Sequence, residues 1–184
     1  IAAGLFLTPI GGNYHRGVAR WDGAVWQPLF SSFPNGPIGI ATWDADGEGP
    51  GAAEVVTSYQ RASGNEVVQW TGAQWQPFGS VGTGSIAVIT TWDSDGLGPD
   101  VPELVVAGQY SSISGISANR IARWNGVEWQ PFGTGIANQP VVPGFPSLVA
   151  AVETFDPDGP GPEGPILIAA GRFNTAGGVA CNNI

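Results

Sequence analysis

Apolar positions along this chain come in short runs of two kinds, and both recur. The first kind is continuous. It reads Ile38-Gly39-Ile40-Ala41-Thr42-Trp43, then Ile86-Ala87-Val88-Ile89-Thr90-Thr91-Trp92, then Leu148-Val149-Ala150-Ala151-Val152-Glu153-Thr154-Phe155. Runs of this length without a polar face predict strands buried on both sides. The second kind alternates around a pair of tryptophans. Ile121-Ala122-Arg123-Trp124-Asn125-Gly126-Val127-Glu128-Trp129-Gln130-Pro131-Phe132 has earlier copies from Val18 to Leu29 and from Val67 to Phe78. The first Trp of each copy falls at 21, 70 and 124, spaced by 49 and then 54 residues. A period near 50 marks a repeat architecture. No long stretch has helical apolar spacing, and Gly or Pro interrupts nearly every window, so the pattern predicts an all-β fold.

Each Trp pair brackets a turn signal: Asp22-Gly23, Thr71-Gly72 and Asn125-Gly126. Asp-Gly and Asn-Gly favour two-residue hairpin loops, because both central positions need positive φ. Thr71 suits that turn less well, so a different type is expected there. A two-residue loop pairs Trp124 with Val127 and Ala122 with Trp129. Alternation then puts Ala122, Trp124, Val127 and Trp129 on one face, and Ile121, Arg123, Glu128 and Gln130 on the other. Pro28, Pro77 and Pro131 are expected to end the pairing of the second strand, at a sheet edge.

A further Val/Ile-rich strand completes the cycle: Val55-Val56-Thr57-Ser58-Tyr59 and Val105-Val106-Ala107-Gly108-Gln109-Tyr110. Near the two ends, Ile1-Ala2-Ala3-Gly4 matches Ile168-Ala169-Ala170-Gly171. Each period thus carries four strands: the small apolar run, the Val-rich strand, and the two strands of the Trp hairpin. Four short antiparallel strands per ~50 residues is the pattern of a β-propeller blade. The chain reads as a single propeller segment: a partial blade over 1–35, blades over 36–83 and 84–146, and a partial blade over 147–184. Such a segment cannot close a ring, so its end blades are predicted to expose Trp-bearing faces. Those faces are expected to be covered by protein subunits or by the remainder of a longer chain.

Charge narrows the partners. The chain has 184 residues, a formal net charge of −9, six arginines and no lysine. Nucleic acid is excluded as a partner class, because phosphate neutralisation needs basic clusters. An anionic membrane surface is disfavoured for the same reason. Cys181 stands alone, which rules out an internal disulfide framework or a Cys-based zinc site. No apolar run reaches ~18 residues, so no membrane-spanning helix is expected. No signal peptide is read, and with Met absent even at position 1 the chain is expected to be processed or part of something longer.

Two resemblances follow from named residues. Val105-Val106-Ala107-Gly108, Ile121-Ala122-Arg123-Trp124 and Trp129 resemble a kelch-type repeat of galactose-oxidase-like propellers, with Gln109 standing where kelch repeats carry a second Gly. Asn119-Arg120-Ile121-Ala122-Arg123-Trp124-Asn125-Gly126 also looks like propeller repeats of secreted bacterial proteins and of fungal cell-surface polarity markers. This implies an extracellular or cell-surface location. Asp93-Ser94-Asp95-Gly96-Leu97-Gly98-Pro99-Asp100 followed by Glu103 is similar to the calcium loop of integrin-type propeller repeats.

The candidate chemistry is sparse. Asp93, Asp95 and Asp100 with Glu103, Asp156 and Asp158 with Glu163, and Asp44 and Asp46 with Glu48 place carboxylates two residues apart before Gly. That spacing suits either a hard cation such as structural calcium or Asp-capped turns. Trp21, Trp26, Trp70, Trp75, Trp124, Trp129, Trp43 and Trp92 fall at repeat-equivalent places, as a core packed between blades requires. A sugar-stacking platform is the alternative. Arg20 and Arg123 are equivalent, and structural ion pairing with acids of a neighbouring blade is expected of them, an anion clamp being the alternative. His15 is the only histidine, so a catalytic triad or a His-rich metal site lacks parts. The readings that remain are a non-enzymatic binding module for protein or glycan, a structural assembly unit, and a piece of a propeller enzyme whose reactive residues lie elsewhere.

Overall fold

A computed structural model describes residues 2–10, 13–29, 33, 35–47, 51–96, 98–138, 144, 146–159, 161 and 163–181, with residues 2–16 described by backbone alone. The described chain is all-β and contains no helix. A first sheet holds β1 (Ala2–Ile10), β2 (Asn13–Trp21) and β3 (Trp26–Leu29) in that order. The second holds β4 (Pro37–Trp43), β5 (Glu54–Arg61), β6 (Gly64–Trp70) and β7 (Trp75–Val81). Next come β8 (Gly84–Trp92), β9 (Glu103–Tyr110), the short pair β10 (Ser112–Ile113) and β11 (Ile116–Ser117), β12 (Ile121–Trp124) and β13 (Trp129–Pro131). Of these, β8, β9, β12 and β13 form the third sheet. After β14 (Ile136–Ala137), β15 (Leu148–Phe155) pairs with β16 (Ile166–Arg172) as a fourth, two-stranded sheet. The chain then adds β17 (Thr175–Ala176) and β18 (Val179–Ala180). Because β17 pairs with both β14 and β18, it ties the third repeat to the fourth.

All pairings within these sheets are antiparallel, and each follows chain order. The continuous apolar runs form the strands β4, β8 and β15, but burial on both sides does not hold throughout: β15 buries Val149 and Val152 and exposes Ala150, Ala151, Glu153 and Phe155 on the face that no other described sheet covers. Each of these strands breaks register at the same place, after Ile38, Ile86 and Val149. A bulge there turns the strand more sharply.

The Trp hairpins differ from expectation in register. Trp21 faces Trp26, Trp70 faces Trp75 and Trp124 faces Trp129. The loops are therefore four residues long in all three copies, and Val127 and Glu128 lie in the loop rather than on a strand face. The physical reason is the first loop residue. Asp22 Oδ1 accepts hydrogen bonds from the Ala24 and Val25 amides at 2.9 and 2.8 Å, and Asn125 Oδ1 from those of Val127 and Glu128, both at 2.9 Å. Thr71 Oγ1 bridges the Gln74 amide at 3.3 Å and its carbonyl at 3.0 Å. What the position needs is a side-chain oxygen, not positive φ. Positive φ falls only on Gly23, Gly72 and Gly126 in these loops. The shift is two residues, so both Trp rings still share a face. Proline behaves unequally: β13 ends at Pro131, whereas β7 continues past Pro77 to Val81 through a bulge at Val67/Val68.

The sheets stack face to face with a core between each pair. Val18, Leu29, Phe33, Val55, Tyr59 and Val68 fill the first. Trp43, Val56, Val67, Ile86, Leu104, Val106, Ala122 and Trp129 are part of the second. Val105, Ala107, Ile121, Ile136, Val149, Val152 and Phe173 fill the third. Strand β9 is buried on both faces, with Leu104, Val105, Val106 and Ala107 fully enclosed. Strand β16 alternates instead: Leu167 and Ala169 face the third sheet, while Ile166 and Ile168 are exposed.

Candidate functional site

Tryptophan placement separates the inner sheets from the ends. Trp43 and Trp129 are buried, and Trp70, Trp75, Trp92 and Trp124 are half-buried. Trp21 and Trp26 are 50% and 52% exposed, on a Trp-bearing face at the end of the row. Their face belongs to the first sheet, and no other described sheet covers it.

The inner indoles do more than fill space. Trp43 Nε1 donates to Pro102 O at 2.7 Å, and Trp92 Nε1 donates to Pro165 O at 2.8 Å, each reaching from one sheet to the next. Trp129 Nε1 donates backwards, to Phe78 O at 3.1 Å. The second and third sheets are thus latched from both sides. Phe78 also stacks on Trp129, with centroids 5.7 Å apart and planes at 12°, and meets Trp124 edge-on at 5.3 Å. A buried N–H needs an acceptor, and these carbonyls supply it.

The acidic turns share one internal geometry. The first Asp of each turn accepts the amide of the second: Asp44 from Asp46, Asp93 from Asp95, and Asp156 from Asp158, all at 3.3 Å. The second Asp accepts an amide five residues on. These are Gly51 at 2.9 Å, Asp100 at 3.1 Å and Glu163 at 3.3 Å. A Cβ on Gly98 or Gly161 would fall 1.8 Å from the carboxylate of Asp95 or Asp158, so any side chain there displaces that carboxylate from its turn. The Gly51 amide is the main cause holding the Asp46 carboxyl below its usual range. Burial, and then the neighbouring Asp95, push Asp93 up. Asp95 Oδ1 is buried without a donor. Glu103 is engaged elsewhere, in an ion pair with Arg123 at 3.0 Å. Among the described residues no three His, Cys, Asp or Glu side chains converge as a metal site. Glu48 lies outside the described residues.

Arg123 also lies over the Phe132 ring, 5.5 Å from its centroid. Its ion pair is with Glu103 of its own sheet, where pairing with a neighbouring blade was one expectation. Arg20 is exposed. His15 sits on β2 opposite Phe6 in the backbone register.

A concavity lies between the third and fourth sheets. It has a volume of about 710 Å³ and an apolar lining that includes Trp92, Ile121, Phe132, Gly133, Phe173 and Cys181. Cys181, half-buried, borders it. Beside this cleft runs β16, which among the described residues pairs with β15 alone. Sequence reasoning did not single out Phe132 and Gly133. Their signal was present in the repeat, since they occupy the places of Phe78 and Gly79.

No family model matches the chain, and no curated protein or solved structure matches it either.

Proposed function

We propose that this chain is a non-enzymatic β-propeller-type module, built of kelch-like blades and working outside the cell or at its surface, that binds protein or glycan partners. The observation that supports this is the contrast between inner and end sheets. Inner strands such as β9 are enclosed on both faces, whereas the ends present Trp21 and Trp26 on one side and Phe155, Ile166 and Ile168 on the other. Contiguous apolar faces of this kind are characteristic of interaction surfaces. Trp21 and Trp26 lie 5.6 Å apart with planes at 56°, so the pair offers a tilted wedge rather than a flat sugar platform. This favours a protein partner over a glycan. Structural calcium has weaker support, because the acidic turns already satisfy their carboxylates internally, with Asp95 Oδ1 the exception.

The test is binding of the immobilised chain to panels of cell-surface proteins and glycans, beside the exposed-residue variant W21A/W26A. Selective protein binding that the variant loses supports the reading. Binding undiminished in the variant, or no binding to either panel, refutes it. A second reading, a structural assembly unit packing through its sheet faces, is favoured by the apolar cleft beside β16.

A further inference from the structure

The chain holds two Asn-Gly dipeptides, Asn35-Gly36 and Asn125-Gly126. Such a pair is chemically labile, because glycine has no Cβ to keep its amide nitrogen away from the asparagine side chain. That nitrogen can attack Cγ. In sequence the two sites are alike. In the fold they differ.

Three atoms govern the reaction: the attacking glycine nitrogen, the departing Nδ2, and Oδ1, which gathers negative charge as Cγ becomes tetrahedral. At Asn35 the first two are held. Gly36 is buried and donates its amide to the Phe33 carbonyl at 3.3 Å, and Asn35 Nδ2 donates to the Gln60 carbonyl at 3.2 Å. At the other site both residues are exposed, and among the described residues neither the Gly126 amide nor Asn125 Nδ2 has an acceptor. There it is Oδ1 that is engaged, by the Val127 and Glu128 amides, both at 2.9 Å. Two backbone donors at that distance stand where an oxyanion would form.

The loop also suits the product. The same place in the first repeat is Asp22, whose carboxylate accepts the Val25 and Ala24 amides and the Gln27 side-chain amide. The Val25 amide, then Gln27 and the Ala24 amide, draw its pKa down to about 2. Gln130 follows Trp129 as Gln27 follows Trp26. An aspartate at 125 therefore has the same kinds of donor around it, and a carboxylate accepts them more strongly than an amide oxygen does.

We propose that Asn125 is a site of spontaneous deamidation, from which Asn35 is protected. The Gly126 nitrogen bonds to Cγ and gives up its proton, the Cγ–Nδ2 bond breaks, and Nδ2 leaves as ammonia. Water then opens the succinimide ring at either carbonyl, giving aspartate or isoaspartate. Ammonia is released and one water consumed, with no cofactor or oxidant. The event adds a negative charge to an exposed hairpin loop that reaches the second sheet: a Cβ on Gly126 would lie 3.8 Å from the Trp43 ring.

The test is peptide mapping by mass spectrometry of the full chain aged at mildly alkaline pH, folded and, in parallel, unfolded in urea. Aspartate and isoaspartate both count as conversion, and each folded rate is taken relative to the rate of the same site in urea. Asn35 must first break its two hydrogen bonds, so folding should slow it about tenfold or more beyond any slowing at Asn125. Equal protection of the two sites, or stronger protection of Asn125, overturns the proposal. N125D supplies the aspartate product directly. Its melting temperature should equal or exceed that of the fresh wild-type chain, and a lower one overturns the claim that the loop accommodates that product.

Discussion

Trp129→Ala and Trp26→Ala remove the same residue from the same place in two repeats, and the structure assigns them different costs. Trp129 is 5% exposed, stacks on Phe78, meets Trp124 at 5.4 Å and donates a hydrogen bond to Phe78 O. A buried Trp covers ~150–250 Å², which at ~25 cal/mol per Å² amounts to about 4–6 kcal/mol of transfer free energy. Partial collapse around the site brings the expected loss to ~3–5 kcal/mol. Trp26 is 52% exposed and its main ring neighbour is Trp21. About half the area and one aromatic pair are at stake, so ~1–2 kcal/mol is expected. The difference of ~2 kcal/mol or more should appear in urea denaturation as a midpoint lower by ~1 M for Trp129→Ala than for Trp26→Ala. Trp129→Phe separates the causes. It keeps the ring stack and loses the indole donor, and should cost ~1 kcal/mol from the hydrogen bond beyond its loss of area. Equal midpoints for the two alanine variants, at protein concentrations where association is absent, would refute the argument that the inner Trp pair seals one sheet to another.

Other consequences can be checked alongside it. Gly98→Ala places a methyl group on the Asp95 carboxylate, and should cost ~1–3 kcal/mol in chemical denaturation, as should Gly161→Ala against Asp158. Chelation with EDTA should leave the melting temperature within ~1 °C, since the acidic turns are held by their own amides; a larger fall would establish a structural cation. Tyr59 and Tyr110 both have pKa values raised chiefly by burial. A group of this kind stays protonated in the folded chain while the unfolded chain ionises near ~10, so stability is full below that pH and should fall as pH rises above it. Tyr59→Phe should flatten part of that decline, at the expense of its hydrogen bond to Glu66.

How much of this was legible in the residues varies by feature. The alternation and the continuous runs marked the strands, because burial on one face or two leaves a direct imprint on residue type. The 49- and 54-residue spacings located the repeats. The hairpin register was misread because Asp-Gly and Asn-Gly serve two turn types. Thr71 held the clue: threonine tolerates positive φ poorly but offers the oxygen that Asp22 and Asn125 also use. The Trp latches were illegible, since their acceptors are carbonyls of Pro102, Pro165 and Phe78, and any residue type supplies a carbonyl. Trp21 and Trp26 share the repeat position of the inner pairs but not their burial. Repeat position predicts what a residue packs against only where the neighbouring repeat is in place.

The two-sided enclosure of β9 has a kinetic meaning. Its amides can meet solvent only after both flanking interfaces have parted, whereas those of β16 need one opening, since its Ile166 and Ile168 face is exposed. Exchange should therefore be graded along the row of sheets, slowest in the middle and fastest at the ends, as in structures whose units touch only their neighbours. In such a row the last sheet is protected only as well as whatever sits beside it, so anything that docks on an end will slow exchange there first.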